Sequence, residues 1–83
     1  MSISVIIISY NTCELMRNCL ASLAAHPPSC DHRIIVVDNA SADDTVAMVR
    51  REFPYVQVIA NDANVGYAAA INQGLREDQA SDV

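Results

Sequence analysis

The stretch that most constrains the fold is the apolar run at residues 34–37, which leads directly into Asp38 and Asn39. All four residues of the run are β-branched, and no polar residue alternates with them. Such a run is typical of a strand that is buried on both faces, as in a parallel sheet covered by helices. Because ligands bind at the carboxyl ends of strands in open α/β sheets, we expect a ligand pocket beside Asp38 and Asn39.

Strand and helix patterns alternate along the whole chain. Apolar runs predict strands at residues 3–9, 32–38 and 55–60, and helical periodicity predicts helices at residues 12–25, between Ser41 and Pro54, and from about 65 to 76. The connections are short, and right-handed crossovers then give a parallel sheet with helices on both faces. We therefore predict an α/β fold made of three βα units, which is the first half of a nucleotide-binding fold rather than a complete one.

The helix starts carry residues that are typical of caps. Ser41 is the expected N-cap of the second helix, with Asp43 and Asp44 in its first turn, where carboxylates favour the helix dipole. Asn11 and Glu14 resemble a capping box before the first helix. Two neighbouring stripes on that helix are expected to lie against the sheet. They consist of Leu15, Cys19 and Leu23 and of Met16, Leu20 and Ala24.

Composition excludes several classes of protein. The chain has 83 residues with a formal net charge of -5, which argues against a nucleic-acid partner. Three cysteines without a C-x-x-C pair favour a reducing, cytoplasmic compartment. No signal peptide or apolar run of membrane-spanning length occurs. The cluster of His26, Cys30 and His32 is better explained as a polar loop than as a metal site, because no fourth ligand stands at zinc spacing.

Polar and aromatic residues after the first two strands could bind a nucleotide. The turn at residues 9–12 contains no glycine, which excludes a dinucleotide-binding Rossmann motif and a phosphate-binding P-loop. Tyr10 could stack on a base, and Asp38 or Asn39 could accept the imino N–H of a pyrimidine. Equally, Tyr10 could pack at the sheet edge, and Asp38 could serve only as a turn or cap carboxylate.

The segment at residues 64–74, Asn-Val-Gly-Tyr-Ala-Ala-Ala-Ile-Asn-Gln-Gly, is the second informative stretch. Gly66 permits unusual backbone angles, and small residues let the helix start approach a sheet or a ligand. Asn64 and Asn72 are candidate polar contacts. The alternative is a capped, alanine-rich helix with Asn72 facing solvent.

Three motifs in this order resemble the N-terminal part of family 2 glycosyltransferases, which are inverting enzymes with the nucleotide-diphospho-sugar transferase (GT-A type) fold. The motifs are Ser-Tyr-Asn after the first strand, Val-Asp-Asn-Ala-Ser-Ala-Asp-Asp-Thr after the second, and the segment at 64–74. The resemblance covers residues 3 to about 75. The Asp-Asn ending and the Asn-x-Gly-aromatic segment look most like the rhamnosyltransferase-type branch.

The resemblance implies a nucleotide site formed by Ser9, Tyr10, Asp38, Asn39, Asn64, Gly66 and Asn72. Many members have a second aspartate where this chain has Asn39, whose amide oxygen can still accept an imino N–H, without charge assistance. Many also have an arginine at the position of Ile71, so a phosphate contact from that position is not implied here. The donor implied is a nucleotide-diphospho-sugar of the thymidine or uridine type.

The resemblance also implies groups that this chain does not contain. The family binds a divalent cation, Mg²⁺ or Mn²⁺, through an Asp-x-Asp-like motif at the end of the next strand, and the catalytic base lies much further on. The chain stops where that strand would begin, so we assign no metal ligand and no catalytic base, and we interpret residues 1–83 as a partial glycosyltransferase domain, truncated before the metal-binding motif. Asp43 and Asp44 are not substitutes, because they are adjacent and better explained as helix caps.

Three functional hypotheses follow. In the first, the intact enzyme transfers a sugar, with rhamnose as one candidate, to a saccharide or lipid-linked acceptor in polysaccharide biosynthesis at the cytoplasmic face of a membrane. This chain then supplies the nucleotide pocket and is inactive alone. In the second, the chain is a non-catalytic nucleotide-binding or interaction module of the same fold. In the third, it is a generic parallel α/β domain that binds a phosphorylated ligand at helix N-termini.

Overall fold

A computed structural model describes residues 2–81 and has three strands alternating with three helices. The elements are β1 (Ser2–Ser9), α1 (Cys13–Ala25), β2 (Asp31–Asp38), α2 (Thr45–Glu52), β3 (Gln57–Ala60) and α3 (Tyr67–Ser81). The predicted order of elements is confirmed. Within the described residues, no helix is long and apolar enough to cross a membrane.

The three strands form one parallel sheet in the order β1-β2-β3. Ser9 pairs with Asp38, and Asp38 pairs with Ala60, so the three strands end at the same level. This register brings the polar residues that follow each strand to one edge, which is called the carboxyl edge below.

Alternating residues of β2 enter two separate apolar layers, as the uninterrupted β-branched run predicts. Ile34 and Val36 belong to a core formed with α1 and α2, whereas Ile35 and Val37 pack with Ala70 of α3. All four of these strand residues are buried. Helices therefore cover both faces of the sheet, and complete burial of each such side chain contributes about 1.5–3 kcal/mol.

One predicted stripe of α1 is wrong. In the first stripe Leu15 is 70% exposed, Cys19 is exposed and only Leu23 is partly buried. In the second stripe Met16 and Leu20 are buried as predicted, whereas Ala24 is exposed. Successive helical residues are rotated by about 100°, so a helix that turns Met16 inward carries Leu15 away from the same contact surface.

Helix α3 is longer than predicted. It continues beyond Arg76 to Ser81, because polar residues in its last turns have tertiary partners. Glu77 accepts a hydrogen bond from Gln57, and Asp78 accepts one from Ser4 at 2.5 Å. The polar tail predicted from residue 77 is thus helical as far as residue 81, and residues 82–83 lie outside the described part of the chain.

Strand β3 begins at Gln57 rather than at residue 55. A turn precedes it, in which the N–H of Val56 donates to the carbonyl oxygen of Phe53 at 3.0 Å. The rings of Phe53 and Tyr55 meet edge to face with their centroids 6.3 Å apart. Tyr55 and Val56, which the apolar pattern places in the strand, therefore belong to the turn.

Candidate nucleotide site

The carboxylate of Asp38 accepts three hydrogen bonds at the carboxyl edge. Asp38 is 2% exposed, and its Oδ1 accepts hydrogen bonds from Ser9 Oγ at 2.8 Å and Ser41 Oγ at 2.6 Å. Its Oδ2 accepts the backbone N–H of Ser41 at 2.9 Å. Ser41 is therefore a partner of Asp38, and the prediction that it caps α2 is wrong.

The start of α2 is organised by Asp43. The helix begins at Thr45, so Asp43 and Asp44 precede it and do not form its first turn as predicted. Asp43 Oδ1 accepts the N–H of Thr45 at 3.1 Å and also its hydroxyl group, while Oδ2 accepts the N–H of Cys13 at 3.2 Å. The Thr45 hydroxyl, with smaller help from these backbone donors, holds the pKa of Asp43 below its usual range.

Asn11 joins the first loop to the second. Its backbone has a positive φ of 52°, its N–H donates to Ser41 Oγ at 2.8 Å, and its Oδ1 accepts the N–H of Ala42 at 2.6 Å. Thr12 occupies the N-cap position of α1 and makes no side-chain cap bond. The predicted capping box is therefore wrong: Asn11 links two loops instead.

Asn39 is bonded to the loop between β3 and α3. The side chain is 3% exposed, and its Nδ2 donates to the carbonyl oxygen of Gly66 at 3.3 Å. Its Oδ1 accepts from Asn61 Nδ2 at 3.1 Å and from the N–H of Val65 at 3.3 Å. An amide oxygen has two lone pairs, so both acceptor positions of Asn39 are already used within the chain.

Asn61 and Gln73 were not identified from the sequence. Their carboxamides pair reciprocally, with Asn61 Nδ2 donating to Gln73 Oε1 at 2.8 Å and Gln73 Nε2 donating to Asn61 Oδ1 at 2.9 Å. Asn61 directly follows β3 as Asn39 directly follows β2, and the residues before them, Ala60 and Asp38, are paired in the sheet. The ends of the predicted strands could therefore have indicated that Asn61 lies beside Asn39. The pairing with Gln73 depends on how α3 lies on the sheet, which local sequence does not specify.

The remaining predicted site residues are divided between two places. Tyr10 follows Ser9 at the carboxyl edge and is 51% exposed. Asn64 and Gly66 lie in the loop that Asn39 holds, where Asn64 Oδ1 accepts the N–H of Gly66 at 2.8 Å and Gly66 has a φ of 86°. Asn72 instead lines a surface pocket on α3 with Leu75, Arg76 and Gln79. The structure thus brings six of the seven residues to the carboxyl edge, and their contact with a nucleotide stays a prediction.

No metal site is formed by the part of the chain that the structure describes. No three histidine, cysteine, aspartate or glutamate side chains converge there in a way that could hold an ion. Asp38 and Asp43 are instead bonded to hydroxyl and backbone donors. The described donor set therefore does not fit a divalent cation.

Comparison with known proteins identifies the family. Residues 4–79 match the family described as Glycosyl transferase family 2. The chain belongs to this family. A curated relative, glycosyltransferase AglE of Haloferax volcanii, is 30% identical over 79 residues, and the match covers 90% of this chain and 26% of the relative.

A solved structure supports the same assignment and the expected GT-A fold. It is the mannosyltransferase PcManGT from Pyrobaculum calidifontis in complex with GDP-Man and Mn²⁺. The match has a TM-score of 0.79 and 30% identity, and it covers 90% of this chain and 24% of the mannosyltransferase. This member of the family therefore spans about a quarter of the length of the two relatives.

Proposed function

We propose that residues 1–83 supply the donor-binding part of an inverting glycosyltransferase. The observation that supports this most directly is the arrangement at the carboxyl edge, in a chain whose family match covers residues 4–79. Ser9 and Asp38 are bonded there side by side, and the loop with Asn64 and Gly66 lies next to them. The similar mannosyltransferase was solved with a nucleotide-sugar, GDP-Man.

In this proposal, Asp38 accepts an N–H from the edge of the base. Three chain donors occupy the carboxylate, but Oδ2 accepts only one of them, and a carboxylate has about four acceptor positions. Asp38 is 2% exposed, so the base must approach edge-on. Tyr10, with its half-exposed ring, supplies a face on which the base stacks.

The candidate bases differ in the N–H groups that they can donate to the Asp38 carboxylate. Uracil and thymine each present one imino N–H, whereas guanine presents an imino N–H with an adjacent amino group. A carboxylate accepts from all three, and guanine can form two parallel bonds with it. The resemblance to the family implies a thymidine or uridine donor, whereas the similar mannosyltransferase was solved with GDP-Man.

The intact protein, in this proposal, transfers a sugar to a saccharide or lipid-linked acceptor during polysaccharide synthesis at the cytoplasmic face of a membrane. Rhamnose is the candidate sugar. The residues described here bind and orient the nucleotide. The divalent cation and the base that deprotonates the acceptor are expected from other parts of the protein, and no step involving them is assigned to these residues.

The test is a titration of the ¹⁵N-labelled 83-residue chain with GDP, UDP and dTDP, followed by NMR, which detects millimolar affinities. We expect shifts of the amides of Tyr10, Asn39 and Gly66 with at least one nucleotide. Manganese should not strengthen binding, because the described residues form no metal cluster. Absence of saturable shifts with all three nucleotides at millimolar concentration would contradict the proposed function.

A further inference from the structure

The loop between β3 and α3 is held by a network of three carboxamides, those of Asn39, Asn61 and Gln73. Asn61 is central, because its Nδ2 donates to both Asn39 and Gln73 and its Oδ1 accepts from Gln73. The N–H of Asn61 also donates to the carbonyl oxygen of Asp38 at 2.9 Å. The amide network therefore connects the ends of two strands to the second turn of a helix.

The loop has little apolar packing to fix its position, so it depends on hydrogen bonds. Every residue from 62 to 69 is exposed, and Val65 contributes an apolar side chain that is 45% exposed. Asn39 holds the loop at two backbone positions, the N–H of Val65 and the carbonyl oxygen of Gly66. Gln73 in turn fixes the carboxamide of Asn61 through their two reciprocal bonds. The Nδ2 of Asn61 then donates to Oδ1 of Asn39, which determines where that oxygen lies.

We propose that Asn61 and Gln73 are positioning residues for the nucleotide pocket and that they act through Asn39. This inference rests on the proposed function. Asn39 then contributes by clamping the loop and not by accepting from the base, because both lone pairs of its oxygen are used. The ligand whose binding depends on the amide network is the nucleoside diphosphate of the donor.

The substitution Gln73→Glu tests the reciprocal pair with a minimal change of shape. An ionised carboxylate cannot donate to Asn61 Oδ1 and repels it, whereas a protonated carboxyl group has one donor and one acceptor and restores both bonds. Partial burial next to an amide oxygen favours the protonated form, so the pair should reform as the pH falls toward the ordinary glutamate pKa of about 4.3. The effect on binding should therefore depend on pH.

Gln79→Glu is the matched control. Gln79 lies on the same helix, is exposed, and makes none of the network's bonds. The charged residues close to this pair in sequence are Arg76 and Glu77, three and four positions beyond residue 73, and Asp62, which follows Asn61; all are unchanged in both variants. The ratio of the two dissociation constants thus removes the pH dependence of the nucleotide itself.

Dissociation constants for GDP, UDP and dTDP are measured by NMR at pH 7.5 and pH 4.5, at a temperature where both variants are fully folded. We expect Gln73→Glu to bind about fivefold more weakly than Gln79→Glu at pH 7.5, as for the loss of one net hydrogen bond, and within about twofold at pH 4.5. A substitution that only destabilised the fold would lower the folded fraction and would leave the ratio of the two dissociation constants unchanged. If Gln73→Glu does not fold, Gln73→Met is compared with Gln79→Met at pH 7.5, with the same expected weakening.

Hydrogen exchange of the Val65 amide, measured without ligand, separates this inference from the proposed function. We expect faster exchange in Gln73→Glu than in Gln79→Glu at equal pH. Unchanged Val65 protection, equal dissociation constants, or a ratio that does not vary with pH would each overturn the inference while leaving nucleotide binding intact. A wild-type chain that binds none of the three nucleotides overturns the proposed function and the positioning role with it.

Discussion

The carboxylate of Asp43 accepts the backbone N–H of Cys13, so a residue that precedes α2 completes the start of α1. The same carboxylate accepts the N–H of Thr45, the first residue of α2. The first N–H groups of a helix have no partner within it. Asp43 therefore satisfies one such group in each of two helices and fixes their starts to one another.

Stability should depend on the ionisation of Asp43. The folded-state pKa is lowered, chiefly by the Thr45 hydroxyl, so the contribution is fully present above the unfolded pKa of about 3.9 and is lost as the pH falls through the lower folded value. Asp43→Asn should lower Tm at pH 7, and its difference from the wild type should shrink at pH 3. Thermal unfolding followed by circular dichroism measures both.

Asp44→Asn is the control for this prediction. Asp44 occupies the N-cap position but makes no side-chain cap bond, so the same change of charge removes no hydrogen bond there. If both variants lose the same Tm at pH 7, bridging by Asp43 is not the cause.

Replacement of Ala40 by glycine should stabilise the protein. Ala40 has a φ of 65°, a conformation that costs an L-residue roughly 1–2 kcal/mol and glycine almost nothing. The greater freedom of glycine in the unfolded chain offsets about 0.4–1 kcal/mol of the gain. We expect a net stabilisation of about 0.5–1 kcal/mol in urea denaturation. Ala42→Gly in the same loop should instead destabilise, because Ala42 is not among the described non-glycine residues with positive φ.

The sequence predicts which strands and helices form better than it predicts the residues at which they end. The β-branched run of β2 determines a strand locally, because four such residues fit a doubly covered sheet and little else. The end of α3 depends instead on Asp78 reaching Ser4, 74 residues earlier in the sequence. A polar residue near a helix end looks locally like the start of a tail, and only the tertiary partner reveals that the helix continues.

The candidate site shows the same division. Asp38 was identified because it ends a buried strand. Ser41 and Asn11, which have good cap chemistry, were assigned to the nearest helix, but each bonds across the two loops. Capping rules describe which groups a side chain can satisfy, and they do not say which competing donor lies closer once two loops are packed together.

Gly74 is required by the packing of α3 on β1. A Cβ atom at this position would lie 2.6 Å from Cγ2 of Ile6, whose β-branched side chain has few alternative rotamers. Overpacking should cost about 1–3 kcal/mol, and the better helix propensity of alanine should return about 1 kcal/mol. We expect Gly74→Ala to lower the free energy of unfolding by up to about 2 kcal/mol in urea denaturation.

A double-mutant cycle with Ile6→Ala checks the cause. Removing the Ile6 side chain removes the atom that the new Cβ would meet, so Gly74→Ala should cost less in that background. An equal cost in both backgrounds would show that the steric contact is not responsible.

Asp38 and Ser41 share hydrogen bonds, and their substitution should separate nucleotide binding from loop stability. Asp38→Ala removes the acceptor proposed for the base and should weaken nucleotide binding by about tenfold, the effect of losing a charge-assisted bond of about 1.4 kcal/mol or more. Ser41→Ala removes the hydroxyl that donates to Asp38 and accepts the N–H of Asn11, but it keeps the carboxylate, so affinity should change by less than about twofold. Both variants should lower Tm, since each disrupts bonds at a buried carboxylate.

Asp31→Ala, at the opposite end of the same strand, controls for the loss of one negative charge. NMR titration with the nucleotide that binds the wild type best measures all three variants. Equal affinities for Asp38→Ala and Asp31→Ala would remove Asp38 from the pocket, and weakening by Ser41→Ala to the same extent as by Asp38→Ala would mean that the loop, and not the carboxylate, carries the interaction.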